Sequence, residues 1–345
     1  MGYAFQDQSA ESFALFGSLN FHLGERVDLQ AGLRYSADEK KLTDERPIPT
    51  FQTPTFAPIV QEVDDTDISG DFSLTFKASD TVNIYGRAAT GYRAPSIQGR
   101  ILFCADFEGG QNPATNCVTT ADTEKIISGE IGVKTILADS KVRLNLSAYI
   151  YEVDGQQLTA VGGEFNTATL LNADTTNGHG VEADMQWTPS GNWLMTFGYS
   201  WNPTEINDPD LTVAPCGGGC TVTNPVVGGL AYIDGNPLPH APEHIFNGII
   251  SFRSHPVNKG FIASLDWAYY SEKNFFLYES EEFKSDSLEL GLRLGYGWAQ
   301  GKYEVAAWGR NITNEEIVRN GIDFNNLTGM VNEPQIIGVE FVANF

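Results

Sequence analysis

One short segment of this sequence has the residue types and spacing of a metal site. His240, Glu243 and His244 fit the H-x-x-E-H spacing of a zinc peptidase. That chemistry needs a helix to bring both histidines to one face, and Pro242 disrupts a helix interior. An apolar run follows the segment directly. The sequence therefore favours an irregular entry to a strand, and we predict no catalytic residue and no metal ligand here.

The four cysteines form two close pairs in the sequence. Cys104 and Cys117 make one pair, Cys216 and Cys220 the other, and both pairs lie in Gly-, Pro- and Asn-rich segments. Neither pair has a second cysteine pair or a histidine at zinc-ligand spacing. We predict two loop-closing disulfides, Cys104–Cys117 and Cys216–Cys220, formed in an oxidising compartment, with free thiols as the alternative.

The charged residues exclude some function classes. A formal net charge of −23 disfavours nucleic acid as a partner, because a phosphate backbone needs a basic surface. The acidic run from Glu62 to Asp67 has calcium-ligand types, but a solvated acidic loop explains it better. The sequence contains neither a G-x-S-x-G motif nor a Gly-rich phosphate loop. We therefore expect neither enzyme activity nor a cofactor.

The elements that carry these residues are strands. From Leu288 to Trp298 every second residue is large and apolar, while Glu289, Gly291 and Arg293 lie between them. A strand places successive side chains on opposite faces, so this stretch has one apolar face and one polar or bare face. Similar runs along the chain predict about thirteen strands. Many of these strands have about 9–11 residues, the length that a tilted strand needs to cross a bilayer.

Two features favour a membrane barrel over a soluble sandwich. Short turns alternate with long loops, as in outer-membrane barrels with periplasmic turns and external loops. Aromatic residues also cluster near strand ends, which is typical of interfacial girdles. The alternatives are a passive porin-like barrel and a soluble secreted β-sandwich or adhesin. The predicted external loops are approximately residues 43–66, 94–123, 202–238, 271–285 and 318–333.

Four motifs in order along the chain resemble those of the TonB-dependent outer-membrane receptors. Ala31–Tyr35 (AGLRY) is similar to a strand motif of that family, and Gly91–Ser96 (GYRAPS) to the motif after a later strand. Gly309–Asn314 (GRNITN) is similar to the segment at the penultimate strand. Gly338–Phe345 resembles the C-terminal signal for barrel assembly, in which Phe341 and Phe345 are the signal residues.

The resemblance implies an all-β fold, an antiparallel transmembrane β-barrel. Residues 1–345 correspond to the C-terminal portion of the barrel, about 13–14 of its roughly 22 strands, with the N-terminal plug and the TonB box absent. No signal peptide is visible after Met1. With an odd number of strands the first and last run the same way and cannot pair antiparallel. We therefore expect an open, curved half-barrel.

The resemblance also implies a function and partners. The family takes up a scarce ligand such as a ferric siderophore, cobalamin, haem or a glycan across the Gram-negative outer membrane. The expected partners are the plug and earlier strands of the same receptor, the TonB complex acting through that plug, the barrel-assembly machinery, and outer-membrane lipid and lipopolysaccharide.

The candidate ligand-binding residues are one arginine and a rim of exposed loop aromatics, namely Arg93, Phe103, Phe107, Phe275, Phe276 and Tyr278. Basic residues predicted to face the barrel interior could steer an anionic ligand, but a structural role is favoured. In that role they pair with Asp28, Glu289, Glu304 and the plug. These basic residues are Arg34, Arg87, Arg93, Arg293 and Arg310.

Overall fold

The computed structural model describes residues 3–48, 55–99, 118–162, 167–255, 259–323 and 327–344. Among them no helix is long and apolar enough to cross a membrane. Several residues singled out in the sequence lie outside the described residues, namely Phe103, Cys104, Phe107, Cys117 and Phe345.

Strands account for most of the described chain. In chain order they are β1 (Tyr3–Leu23), β2 (Val27–Ile48), β3 (Phe56–Ser79), β4 (Val82–Arg93), β5 (Ser96–Gln98), β6 (Thr119–Ala121), β7 (Glu124–Leu137), β8 (Val142–Gly162), β9 (Thr167–Trp187), β10 (Trp193–Trp201), β11 (Thr204–Asn207), β12 (Thr212–Val213), β13 (Val226–Val227), β14 (Leu230–Tyr232), β15 (His244–Arg253), β16 (Gly260–Asn274), β17 (Lys284–Trp298), β18 (Tyr303–Arg310), β19 (Val318–Asp323), β20 (Leu327–Val331) and β21 (Ile336–Ala343).

One large antiparallel sheet, here called the wall, dominates the fold. Its 14 strands follow the order β1-β2-β3-β4-β7-β8-β9-β10-β15-β16-β17-β18-β21, with β11 paired to the side of β9. Within the described residues β1 and β21 each have a single neighbour, so the sheet is open. The predicted all-β antiparallel fold is confirmed, and so is the open half-barrel.

Short turns connect the strands at one end of the wall. The β1–β2 turn contains Gly24 at φ 69°, and the β17–β18 turn contains Gly301 at φ 81°. Both angles lie in the left-handed region, which glycine adopts without a steric penalty. At the other end three connections are long and contain strands of their own, namely those from β4 to β7, from β10 to β15 and from β18 to β21.

The strand register sorts the side chains of the wall onto two faces. Leu29 lies opposite Leu74, and Leu265 opposite Leu292, so apolar residues of neighbouring strands share a face. Ile131 on this apolar face is 67% exposed. Polar residues such as Gln30 and Ser73 lie opposite each other on the other face, here called the polar face. This arrangement suits a sheet with lipid on one side, since apolar side chains left in water would oppose folding.

The predicted loop 43–66 needs a correction. β2 continues to Ile48 and β3 begins at Phe56, so most of this segment is a paired ribbon. The acidic run Glu62–Asp67 therefore lies on β3. Lys41 and Glu62 take the positions on these two strands that alternate in step with the apolar face, and they form a 2.5 Å ion pair with each other. Charged cross-strand pairs allow strands to continue into water.

The other predicted loops also contain strands. β5 and β6 lie within 94–123, β11 to β14 within 202–238, and the β19–β20 hairpin within 318–333. In the segment 271–285, β16 continues to Asn274 and β17 begins at Lys284. The side of the membrane on which these connections lie stays a prediction.

Candidate functional site

The long connections gather into a folded unit at one end of the wall. We call the described residues of 202–243, 275–283 and 311–335 the cap. Its buried apolar cluster contains side chains from the cap and from the ends of β8 and β9. The cluster consists of Leu158, Ala173, Ile206, Val213, Ala231, Ile233, Phe275, Leu277, Tyr278 and Phe283.

The three predicted loop aromatics of the segment 275–283 lie in or against this cluster. Phe275 is 3% exposed and Tyr278 is 1% exposed. Phe276 is half-buried and packs edge-on against Phe283, with ring centroids 4.9 Å apart. The expectation of an exposed rim is therefore wrong for Phe275 and Tyr278, because loops distant in sequence cover them.

A buried hydrogen bond ties this segment to the β19–β20 hairpin. The Tyr278 hydroxyl donates to Oδ2 of Asp323 at 2.8 Å, and the Gly217 N–H donates to Oδ1 at 3.4 Å. Burial raises the pKa of Asp323, which these two hydrogen bonds partly offset. Burial, reinforced by the nearby Asp323 carboxyl, also raises the pKa of Tyr278. Charging either group inside the cap is costly, so this contact favours neutral partners.

One of the two predicted disulfides can be located. Cys216 and Cys220 are bonded, with Cα atoms 6.3 Å apart, and both pack against the cap cluster. Directly after them, Thr221 donates from its backbone N–H and from its hydroxyl to Glu282, at 2.7 and 2.9 Å. The disulfide loop is thereby fixed to the segment 275–283. The predicted Cys104–Cys117 bond falls outside the described residues.

Arg93 lies at the end of β4, beside a buried polar centre. Its Nη1 is 3.7 Å from Oε2 of Glu124, and its side chain is 61% exposed. The same Glu124 oxygen accepts the N–H of Gln157 at 2.8 Å. The Gln157 Nε2 donates to the carbonyls of Ala94 and Asp122, both at 2.9 Å. Gln157 thus joins the two ends of the 94–123 connection to β8. The sequence around Gln157 does not predict this role.

The predicted partners of the interior basic residues are found in part. Arg293 pairs with Glu304 and, at 2.6 Å, with Glu340, which joins β17, β18 and β21 on the polar face. Asp28 pairs with Lys77 at 2.8 Å instead of with an arginine. Glu289 pairs with Arg319, a residue that the sequence did not single out. Arg34 donates to the Ser36 hydroxyl at 3.0 Å, and the Nη1 of Arg310 lies 3.9 Å from Oε2 of Glu333.

A second group of cations lies where β16 and β17 enter the cap. Lys273 lies opposite Ser285, and its ammonium is 5.1 Å from the centroid of the Tyr270 ring. Arg319 reaches the same strands by donating to Ser287 at 3.4 Å. Burial, and then the nearby Arg319 charge, lower the pKa of Lys273. Burial and then Lys273 lower the pKa of His240.

The H-x-x-E-H segment does not form a metal site of the peptidase type. His240 has φ 58°, in the left-handed region, and His244 opens β15. The two rings stack on different partners, His240 on Phe275 and His244 on Tyr199. The predicted strand entry is confirmed. Within the described ranges, no group of three or more His, Cys, Asp or Glu residues could hold a metal ion.

Phe341, the described residue of the predicted assembly signal, lies on β21 at the edge of the wall. It is 61% exposed on the apolar face, and its ring stacks with Tyr303 at 6.0 Å. This position keeps it accessible from the lipid side, and its part in assembly stays a prediction.

Comparison with known proteins gives consistent results. The family model described as "TonB dependent receptor-like, beta-barrel" matches residues 2–312. The pesticin receptor of Yersinia pestis is 25% identical over 204 residues, which cover 59% of this chain and 28% of that receptor. The chain therefore spans under a third of the length of that curated relative.

Solved structures show the same fold. The ferric yersiniabactin uptake receptor FyuA of Yersinia pestis superposes with a TM-score of 0.74 at 16% identity, covering 99% of this chain and 47% of that one. The siderophore receptor PiuA of Acinetobacter baumannii gives 0.68 at 16% identity, covering 97% and 43%. The copper transporter OprC gives 0.66 at 14% identity, covering 97% and 47%. At these identities the agreement establishes the fold alone.

Proposed function

The chain belongs to the TonB dependent receptor-like β-barrel family, and on that premise we propose that it is part of an outer-membrane receptor that takes up a ferric siderophore. The observation that carries the proposal is the family match over residues 2–312. The named functions of FyuA and PiuA support a siderophore as the first ligand to test. The fold alone does not select it, since a copper transporter shares the fold.

We propose a division of labour within this receptor. The wall holds the chain in the membrane, and the cap lies on the external side, where a ligand arrives. Arg93 supports this view, because its guanidinium is largely exposed at the cap end of β4 and only loosely paired with Glu124. Half-buried Phe276 is a second candidate for ligand contact, while Phe275 and Tyr278 hold the segment in place.

The proposed partners follow from the same family. Energy would come from the TonB complex through a plug belonging to the same receptor, and the polar face offers that plug charged groups such as Asp71, Arg87 and Asp184. Of these, Asp71 and Arg87 lie on the neighbouring strands β3 and β4.

Uptake of radioactive iron by iron-starved cells tests this function. Cells with the intact gene, cells with the gene deleted, and cells lacking TonB are each given a panel of ferric siderophores. We expect one siderophore to be accumulated only when both the gene and TonB are present. Uptake that survives the loss of TonB would instead identify a passive barrel, and no gene-dependent uptake would refute the siderophore proposal.

A variant links the same assay to the candidate site. Arg93→Gln should raise the concentration for half-maximal uptake, because it removes an exposed cation from the cap end. Arg253→Gln is the matched control, since Arg253 lies at the opposite, short-turn end, where β15 ends. Equal effects of the two substitutions would remove Arg93 from the ligand site.

A further inference from the structure

Lys273 is an ammonium without a carboxylate partner in the part of the chain that the structure describes. It is half-buried at the cap end of β16, where it lies opposite Ser285 and over the Tyr270 ring, with Arg319 and His240 nearby. Four of the other lysines have carboxylate partners: Lys41 with Glu62, Lys77 with Asp28, Lys125 with Asp67, and Lys284 with Glu272 and Glu281. Lys40, which is also half-buried, donates instead to the carbonyl of Pro95 at 2.6 Å.

The groups around Lys273 raise the free-energy cost of its charged form. The charge of Arg319 and the partial burial of the ammonium both act against its protonation. Arg319 is held at this position by Glu289 and Ser287, so it cannot easily move away. Glu289 pairs with the Arg319 guanidinium, but it has no described contact with Lys273, so the ammonium stays without a direct opposite charge. A half-buried charge in that position is unfavourable unless an anion contacts it.

The geometry points to an oxyanion subsite. We propose that Lys273 and Arg319 together bind a carboxylate or phosphate group of the ligand that enters from the cap side. The strand register supports this position, because Lys273 lies opposite Ser285 and Tyr270 lies opposite Ser287, and Arg319 contacts the Ser287 hydroxyl. An ammonium and a guanidinium together give charge-assisted hydrogen bonds to one oxyanion. This inference rests on the proposed function and restricts its ligand to an anionic one.

Amine footprinting tests the subsite without any transport. Outer membranes carrying the product of the intact gene are treated with an amine-acylating reagent in citrate, in inorganic phosphate, or in chloride of equal ionic strength. At an anion concentration about tenfold above its Kd, acylation of Lys273 should slow about tenfold. Lys284, which is already paired with two glutamates, is the control within the same sample and should change little.

Three outcomes decide the proposal. Selective protection of Lys273 by citrate or phosphate that is lost in Arg319→Gln supports the shared subsite. Equal slowing of Lys273 and Lys284, or no slowing of either, overturns it. Protection of Lys273 that survives Arg319→Gln overturns the shared role of the two cations.

Uptake measurements then separate this proposal from the proposed function. If an anionic siderophore is transported, Lys273→Gln should weaken its apparent affinity about tenfold, equivalent to about 1.4 kcal/mol, while Lys284→Gln should not. Equal affinities of these two variants for that siderophore would overturn the subsite while the receptor function stands. If citrate protects Lys273 in a protein that transports no siderophore, the subsite stands and the proposed siderophore uptake is overturned.

Discussion

The wall and the cap bury opposite kinds of residue. In the wall, apolar side chains such as Ile131 and Leu294 are 67% and 52% exposed, while charged groups such as Arg293 pair on the other face. In the cap, Phe283 and Tyr278 are 4% and 1% exposed and lie in an apolar cluster. Apolar side chains therefore face outward in the wall and inward in the cap. This difference is expected where the surroundings of the chain change from lipid to water.

The same boundary can be followed along single strands. On β2 the residues that share the apolar face are Leu29, Leu33 and Tyr35, and the same parity then continues with Glu39 and Lys41. The strand does not end there, because Lys41 pairs with Glu62 on β3. Pairing of backbone groups continues across the boundary, and only the side chains change. The difference between the two regions thus depends on what surrounds the sheet, and substitutions can test it.

The largest effect should come from emptying the cap core. Phe283→Ala should destabilise the cap by about 3–5 kcal/mol, because it removes a buried ring and leaves a cavity. Phe72→Ala removes the same atoms from the apolar face of the wall, where Phe72 is 51% exposed and lipid chains can fill the space. Hydrogen exchange of residues 275–283 should speed up strongly in the first variant and little in the second. Equal exchange would show that the cap has no core of its own.

A charge should be tolerated on only one face of the wall. Ile249 and Ile250 are neighbours near the middle of β15, with Ile249 opposite Asp266 and Ile250 opposite Leu265. Ile250→Arg should cost about 2–4 kcal/mol in lipid. Ile249→Arg should cost much less, since it lies opposite a carboxylate on the polar face. Denaturant titration of the receptor in lipid vesicles measures both, and equal costs would contradict the assignment of faces.

The sequence predicts the wall well because its information is local. Alternation with a period of two fixes which face each residue takes, and short turns fix the neighbours, so Leu288 to Trp298 could be assigned without distant residues. Cys216 and Cys220 are close in the sequence, so their pairing needed no knowledge of the fold.

The cap could not be predicted in this way because its contacts are distant in sequence. Tyr278 is buried by residues such as Asp323 and Ile206, and no local pattern marks it as different from exposed aromatics. The Gln157 centre likewise joins carbonyls from the ends of another connection. Lys273 was missed for the same reason, since the absence of a carboxylate partner among the described residues becomes visible only when its neighbours are known.

A covalent link inside the cap should stabilise the cap alone. Replacing Cys216 and Cys220 by serine should cost about 2 kcal/mol, because the closed loop is short. The bond connects residues within the cap, so hydrogen exchange should speed up in β12 to β14 and stay unchanged in β7 of the wall. Faster exchange in both regions would show that wall and cap unfold as one unit.

The smallest effect should be a pH dependence confined to the cap. Burial raises the pKa of Asp323, so the folded cap favours its protonated form. The stabilisation from this protonation is fully present below the unfolded pKa of about 3.9 and is lost as the pH rises through the higher, folded pKa. The Tyr278 hydroxyl and the Gly217 N–H partly offset the burial, so the effect of this single group is modest. Hydrogen exchange of residues 275–283, corrected for the intrinsic pH dependence of exchange, should therefore show less protection at neutral than at acid pH. Asp323→Asn should remove this dependence, whereas Asp210→Asn, at an exposed position of the same cap, should leave it intact. A dependence that persists in Asp323→Asn, or that appears equally in β7, would assign the titration to groups outside the cap.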